Sequence, residues 1–203
     1  MRRLLVLFLF ASTVWSCVSG PIYLATKQEE GIRTDYQDSS LKGLYERHRE
    51  ELSELFRTFE EKGVGVYKEG LGYTVLTDDG RRAFYLFVYL RPKEIVFDKH
   101  STRPEERLST VLTRHLGKYV DLLPRASLSE EVDGVALGLF WPVRDFSQCK
   151  NYGGFIEYVI VQLEKGDLLD VWEGKRDLFE VLREREVRTS LDMQEEKSIR
   201  VSF

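Results

Sequence analysis

Residues with chemical capacity are few in this chain. Asp98, His100 and Ser101 bring the three residue types of a hydrolase triad within four positions. A triad needs acid, base and nucleophile along one line of hydrogen bonds, which adjacent loop positions rarely supply, so capping and solvent exposure are the expected roles. Cys149 is the one thiol in the body of the chain. A histidine beside it, His100 or His115, would stabilise the thiolate and serve as base, yet the local signatures of catalytic cysteines are absent around it. Glu130, Glu131 and Asp133 supply carboxylates, but glycoside hydrolysis needs two of them facing one another across a substrate, and a solvated loop explains them better. The three histidines, His48, His100 and His115, form no i, i+4 pair and no zinc-ligand pattern. The glycines of GVGVYKEGLG are followed by neither Lys-Ser nor Lys-Thr, so they read as turns and bulges rather than a phosphate loop. The sequence therefore assigns no catalytic residue, cofactor or metal, and a hydrolase using Cys149 or His100 stands as the alternative reading.

Two sets of aromatic residues suggest binding instead. Trp141, Arg144, Phe146 and Tyr152 gather around Pro142 and Cys149 in a long hairpin loop. Aromatic rings and guanidinium groups are enriched at interfaces, so these four residues form a candidate interaction surface; the competing expectation is a loop folded back on its sheet. The second set is Tyr85, Phe87 and Tyr89, which alternate with Phe84, Leu86, Val88 and Leu90. Both faces of that strand are apolar, which predicts a central strand covered on both sides; the sharper reading makes the tyrosine row a platform for a sugar strand or a partner.

The first twenty residues bear on location. Arg2 and Arg3 precede an apolar run from Leu4 to about Phe10, the layout of an export signal. The dense run is shorter than the roughly 20 residues a spanning helix needs. Val14, Trp15, Ser16 and Cys17 then resemble the lipobox of bacterial lipoproteins, with Trp15 bulkier than the residues usual at its position. That resemblance implies a diacylglyceryl group on the Cys17 thiol, cleavage before Cys17 and acylation of the new amine. Cleavage after Gly20 and an uncleaved anchor are the alternatives, and all three place the domain outside the cytoplasm, on the cell membrane or outer membrane. The organisation expected is a signal peptide over 1–16, a lipidated tether over 17–38 and one domain over 39–203. The function expected is that of a lipid-anchored envelope protein binding an envelope protein or polymer without catalysis, with an envelope hydrolase as the alternative.

Composition agrees with one domain. A chain of this length buries roughly 70% of its extended surface on folding. The formal net charge is −4 before Arg2 and Arg3 are lost, and no basic cluster appears, which argues against nucleic acid as a partner. With Cys17 acylated or removed, Cys149 has no partner for an intramolecular disulfide. Charged residues make up 32% of the chain while Asn151 is its single asparagine, a bias of proteins whose ion-pair networks work at high temperature.

The elements follow from periodicity. Apolar residues at three- and four-residue steps from Leu41 to Phe59 predict a helix over about Ser40–Lys62, with Ser39 or Ser40 as N-cap and Gly63 as stop. Asp79-Gly80 between two strand-like runs predicts a hairpin. Pro104 opens a second helix whose stripe runs through Leu108, Val111, Leu112, His115 and Tyr119. VDGVALGLFWPV and GFIEYVIVQL predict a second hairpin, followed by helix from about Asp167 with a break near Gly174, and a last strand in VRTSL or SIRVSF. The class expected is α+β: an N-terminal helix, then two hairpin-helix units forming an antiparallel sheet with helices packed on it. Ala136 and Gly138 share one side of their strand, where their small size would admit a close helix.

Overall fold

The computed structural model describes residues 24–78, 81–123, 130–147 and 154–201. A short helix α1 (Gln28–Gly31) precedes the long α2 (Ser39–Glu61). The α2 cap is Asp38 rather than a serine: its carboxylate accepts from the N–H groups of Ser40 at 2.8 Å and Leu41 at 3.2 Å. A carboxylate at this position satisfies two orphan donors and complements the helix dipole, and those same bonds, the one from Leu41 foremost, hold the Asp38 carboxyl below its usual range. Gly63, at φ +69°, turns the chain out of the helix. Leu44, Leu52, Leu55, Phe56 and Phe59 make the buried stripe. His48 kinks α2 and its ring reaches Glu51 at 3.2 Å and Glu131 at 3.4 Å.

The strands are β1 (Gly65–Asp78), β2 (Arg81–Arg91), β3 (Phe97–Asp98), β4 (Gly134–Arg144), β5 (Gly154–Glu164), β6 (Glu186–Ser190) and β7 (Lys197–Arg200). They form one seven-stranded sheet in the order β1-β2-β4-β5-β6-β7, with β3 paired to the end of β4. The hairpins β1–β2 and β4–β5 are as expected, and Asp78 pairs with Arg81 around a turn that lies outside the described residues. Residues 67–70 of β1 bulge opposite Tyr89, with Glu69 at φ +51°, so of the GVGVYKEGLG glycines Gly70 falls in a bulge and Gly63 in a turn, while Gly65 and Gly72 pair in regular register. The two segments offered as alternatives for a single last strand both form strands, β6 and β7, which pair with each other.

Two expectations need correction. The sheet is mixed, not antiparallel: β2 and β4 run parallel, with Leu86 beside Val135 and Leu90 beside Leu139. The intervening helices cross the sheet before β4 begins, so the chain re-enters from the same end, as a parallel join requires. The stretch read as tether over 17–38 is also packed from Leu24 on. Leu24 bridges Tyr67, Arg33 N–H donates to Leu71 O at 2.8 Å, and the buried Tyr36 hydroxyl accepts from Tyr73 N–H at 2.8 Å.

All the described helices pack on one face. Leu86, Val88, Leu90, Val135, Leu137, Leu139, Val159 and Val161 point into a single core with α2, α3 (Pro104–Val111), α5 (Lys165–Trp172) and α6 (Leu178–Glu184). Fully burying one such aliphatic side chain contributes about 1.5–3 kcal/mol. Between α3 and α4 (Gly117–Val120) the chain makes a π turn, Leu112–Leu116. The wider turn advances the stripe by one position, so Leu116, Tyr119 and Val120 are buried while His115, expected on the stripe, is half-buried.

His115 nevertheless keeps Nδ1 buried without a hydrogen-bond partner among the described residues. Burial, then Lys118 and Arg114, lower its pKa below the ordinary 6.5, while Glu94 opposes them. A histidine depressed in the folded state stabilises fully above the unfolded value and loses that contribution as the pH falls through the folded one. His115→Gln is therefore expected to lose less unfolding free energy between about pH 7 and pH 5 than the wild type. Urea melts across that range are the check; parallel pH profiles would contradict it.

Candidate functional site

The other face of the sheet carries a separate, smaller cluster, and among the described residues no helix belongs to it. Strand alternation builds it. With Leu86, Val88 and Leu90 turned into the main core, Tyr85, Phe87 and Tyr89 must turn away from it. On β4 the same logic turns out Gly134, Ala136, Gly138 and Phe140, and on β5 Tyr158, Ile160 and Gln162. The parallel register sets Tyr85 beside Gly134, Phe87 beside Ala136 and Tyr89 beside Gly138. Large rings thus sit next to small residues. A Cβ on Gly134 would lie 2.7 Å from Tyr85 Cε1, and one on Gly138 would lie 2.7 Å from Tyr89 Cδ1, so both rings lean across the glycines. This corrects the expectation that the small residues admit a helix.

At one end of this face the rings interlock. Phe140 meets Tyr67 edge-on at 4.8 Å, Tyr89 at 5.5 Å and Tyr158 at 5.1 Å. Tyr158 donates to Glu196 Oε2 at 2.8 Å. The Tyr67 hydroxyl is buried with no hydrogen-bond partner among the described residues, and burial pushes its pKa up to about 12; a buried hydroxyl left unpaired forfeits roughly 1–3 kcal/mol of solvation.

At the other end a trough of about 760 Å³ opens. Its floor is Ala83, the half-buried Tyr85 and Gln162. Its walls are Arg81 and Asp133 on one side and Glu164, Arg185 and Glu186 on the other. Most of these charges are already matched. Arg185 binds Glu164 and Asp167 at 2.6 Å each, Arg176 binds Glu184 at 2.8 Å, and Arg81 lies 3.9 Å from Asp133. Burial first, then Glu164 and Asp133, raise the Tyr85 pKa, so its hydroxyl stays a neutral donor and acceptor. Among the described residues no cluster of His, Cys, Asp and Glu is arranged to hold a metal ion.

Against family models, curated proteins and solved structures, the chain has no match.

The residues predicted from sequence are dispersed by the structure. Trp141, read as part of an interaction surface, is fully buried, and its indole N–H donates to Glu157 Oε2 at 2.9 Å. It continues the inward series Val135, Leu137, Leu139, which is why it cannot face a partner. Arg144 ends β4 with an exposed side chain, and Phe146 is 59% exposed. Tyr152, Cys149 and Cys17 lie outside the described residues. The triad residue types do not assemble: Ser101 donates to Asp98, whereas His100 Nε2 pairs with Asp145 at 3.2 Å. Ser101, ahead of the Asp98 backbone N–H bonds, holds the Asp98 carboxyl low, as an ordinary turn does. What sequence reasoning underweighted was the tyrosine row, whose signal was the coincidence of an aromatic alternation in β2 with Gly134, Ala136 and Gly138 in β4.

Proposed function

We propose that this is an exported, lipid-anchored protein of the cell envelope whose single α+β domain binds an envelope component, without catalysis, on the helix-free face of its sheet. The observation that carries the reading is that face: five aromatic rings, Tyr67, Phe87, Tyr89, Phe140 and Tyr158, on a side to which no described helix contributes. Phe87, Phe140 and Tyr67 are buried there while Tyr89 and Tyr158 stay partly open to solvent, and half-open aromatic side chains of this kind are enriched where proteins meet partners. Export and lipidation rest on Arg2, Arg3, the Leu4–Phe10 run and the VWSC motif; among the described residues no helix is long and apolar enough to cross a membrane. An acyl group on Cys17 would lie seven residues from Leu24, a reach of at most about 25 Å. Leu24 bridges Tyr67, so the tether would draw the aromatic end of the sheet toward the bilayer, where several acyl chains together hold a protein durably.

Mass spectrometry of the mature N-terminus tests the anchor. The expected first residue is Cys17 bearing a diacylglyceryl group; an unmodified residue after Gly20, or an intact Met1, would overturn it. For binding, a photo-cross-linking amino acid at Ala83 is expected to capture an envelope component in intact cells, while one at Met193, 72% exposed beyond β6, captures none.

A further inference from the structure

The trough at the Tyr85 end has a chemistry specific enough to name its ligand. Resting on the binding role just proposed, we infer that it holds a segment of an uncharged or amino-bearing polysaccharide, stacked on Tyr85 and hydrogen-bonded by Gln162 and the carboxylates of the rim.

The charge pattern comes first. Glu164, Glu184 and Asp133 each face an arginine already, and Glu186 makes no ion pair among the described residues. The trough therefore carries little net field, with a slight negative excess. Polyanions such as phosphate polymers or polyuronates find no uncommitted cation there among the described residues, and desolvating them against four carboxylates is costly. A strongly cationic peptide finds three of the four carboxylates already facing an arginine, with Glu186 alone left to attract it.

Hydrogen-bonding capacity remains high. A carboxylate has about four lone-pair sites, and the hydrogen bonds among the described residues use few of them: Oε1 of Glu164 accepts from Arg185, and Oδ2 of Asp133 accepts from the Phe84 N–H at 2.7 Å. Gln162 adds an amide with both donor and acceptor, and Tyr85 a neutral hydroxyl. Closely spaced acceptors with a few donors match the hydroxyls of sugar rings.

Shape gives the third argument. Tyr85 leans over Gly134 instead of standing upright, which turns the ring toward lying along the sheet, as stacking against the apolar side of a sugar requires. Leu76 and Ala83 extend the floor beside it. A volume of about 760 Å³ suits two to three sugar units, within the roughly 300–1,000 Å³ of ordinary ligand sites. Position agrees as well. Leu76 and Ala83 pair at the far end of the β1–β2 hairpin from Gly65 and Arg91, about 25 Å along the strands from the edge where Leu24 joins. An anchored domain would hold the trough away from the bilayer.

Calorimetric titration of the full mature chain in detergent micelles, with chito-oligosaccharides of about five units, is expected to give saturable binding that polygalacturonate and polyphosphate do not give. Tyr85→Ala is expected to weaken it at least tenfold, and Tyr85→Phe, which keeps the ring and fold, several-fold, while Phe146→Ala leaves it unchanged. Absence of chito-oligosaccharide binding, binding of the polyanions instead, or indifference to both Tyr85 changes would overturn the inference. If the cross-linker at Ala83 then captures a protein, the ligand is wrong and the binding role stands; if it captures nothing, that role fails too.

Discussion

Glu157→Gln is expected to lower the unfolding free energy by about 3–5 kcal/mol, the range for breaking one partner of a buried ion pair. Glu157 and Arg107 are 0% and 1% exposed at the side chain. Arg107 Nε donates to Oε2 at 2.9 Å and its Nη2 to Oε1 at 2.6 Å. Trp141 Nε1 adds a donor to Oε2 at 2.9 Å, and Asp192 N–H one to Oε1 at 2.8 Å. Each carboxylate oxygen thus receives two donors. A glutamine must put an NH2 where one oxygen stood, so it would confront two donors with a third, and isosteric volume gives no relief. Arg107 would lose the bidentate anion that offsets its desolvation. Urea unfolding with an unchanged slope should report the loss; a loss below about 1 kcal/mol would show the pair to be solvated in solution. The same node ties α3, β5 and the Asp192 turn between β6 and β7, so the β6–β7 hairpin should become the first site of proteolysis in the variant.

This pair also marks how far the sequence could be read. Glu157 shares parity with Val159 and Val161 on β5, and Arg107 lies four residues before Val111 on the inner side of α3. A charged residue at an inward position on each of two elements, of opposite sign, is a legible cue for a buried pair, but their pairing needs the tertiary arrangement. Trp141 was legible in the same way: the inward series from Val135 reaches it at every second residue, and only its place next to Pro142 and Arg144 suggests a loop.

Local rules carried the elements whose signals are local. The two hairpins, the Gly63 stop, the Pro104 start and the Gly174 break, at φ +70°, all stand where turn and cap chemistry put them. The α2 cap moved to Asp38 because three adjacent residues could each serve, and a carboxylate bonding two N–H groups prevails. Joining the hairpins in parallel depends on a crossover whose direction no short pattern encodes. The π turn that moved His115 off the stripe is likewise silent in a 3.6-residue pattern. The helix-free face was half legible: the β2 alternation showed two apolar sides, and the choice of which one the helices cover fell to the whole chain.

Gly134→Ala is expected to cost about 3 kcal/mol, the upper part of the range for forcing extra atoms into a packed position, and to abolish oligosaccharide binding at the trough. The added methyl would lie 2.3 Å from Leu163 O, 2.7 Å from Tyr85 Cε1 and 3.1 Å from Glu164 Cα. Tyr85 can rotate away, but the carbonyl belongs to the backbone of the paired strand and cannot. Nor can β4 retreat here, because Asp133 N–H donates to Phe84 O at 2.7 Å and Lys165 N–H to Asp133 O at 2.8 Å, fixing the strand start between its two neighbours. The strain is relieved only by parting β4 from β5 or by displacing Tyr85 from the trough floor, and either spoils the site. Gly166→Ala, at the second residue of α5 with nothing within 4 Å of its Cβ, is the matched control; there the same methyl should stabilise by about 0.5–1 kcal/mol through helix propensity and a less flexible unfolded chain. Opposite signs for the two glycines in denaturant melts, with binding lost only in the first, are the expected pattern. Equal and small effects would mean that Gly134 is not clamped and that the rings of β2 do not depend on it for their place.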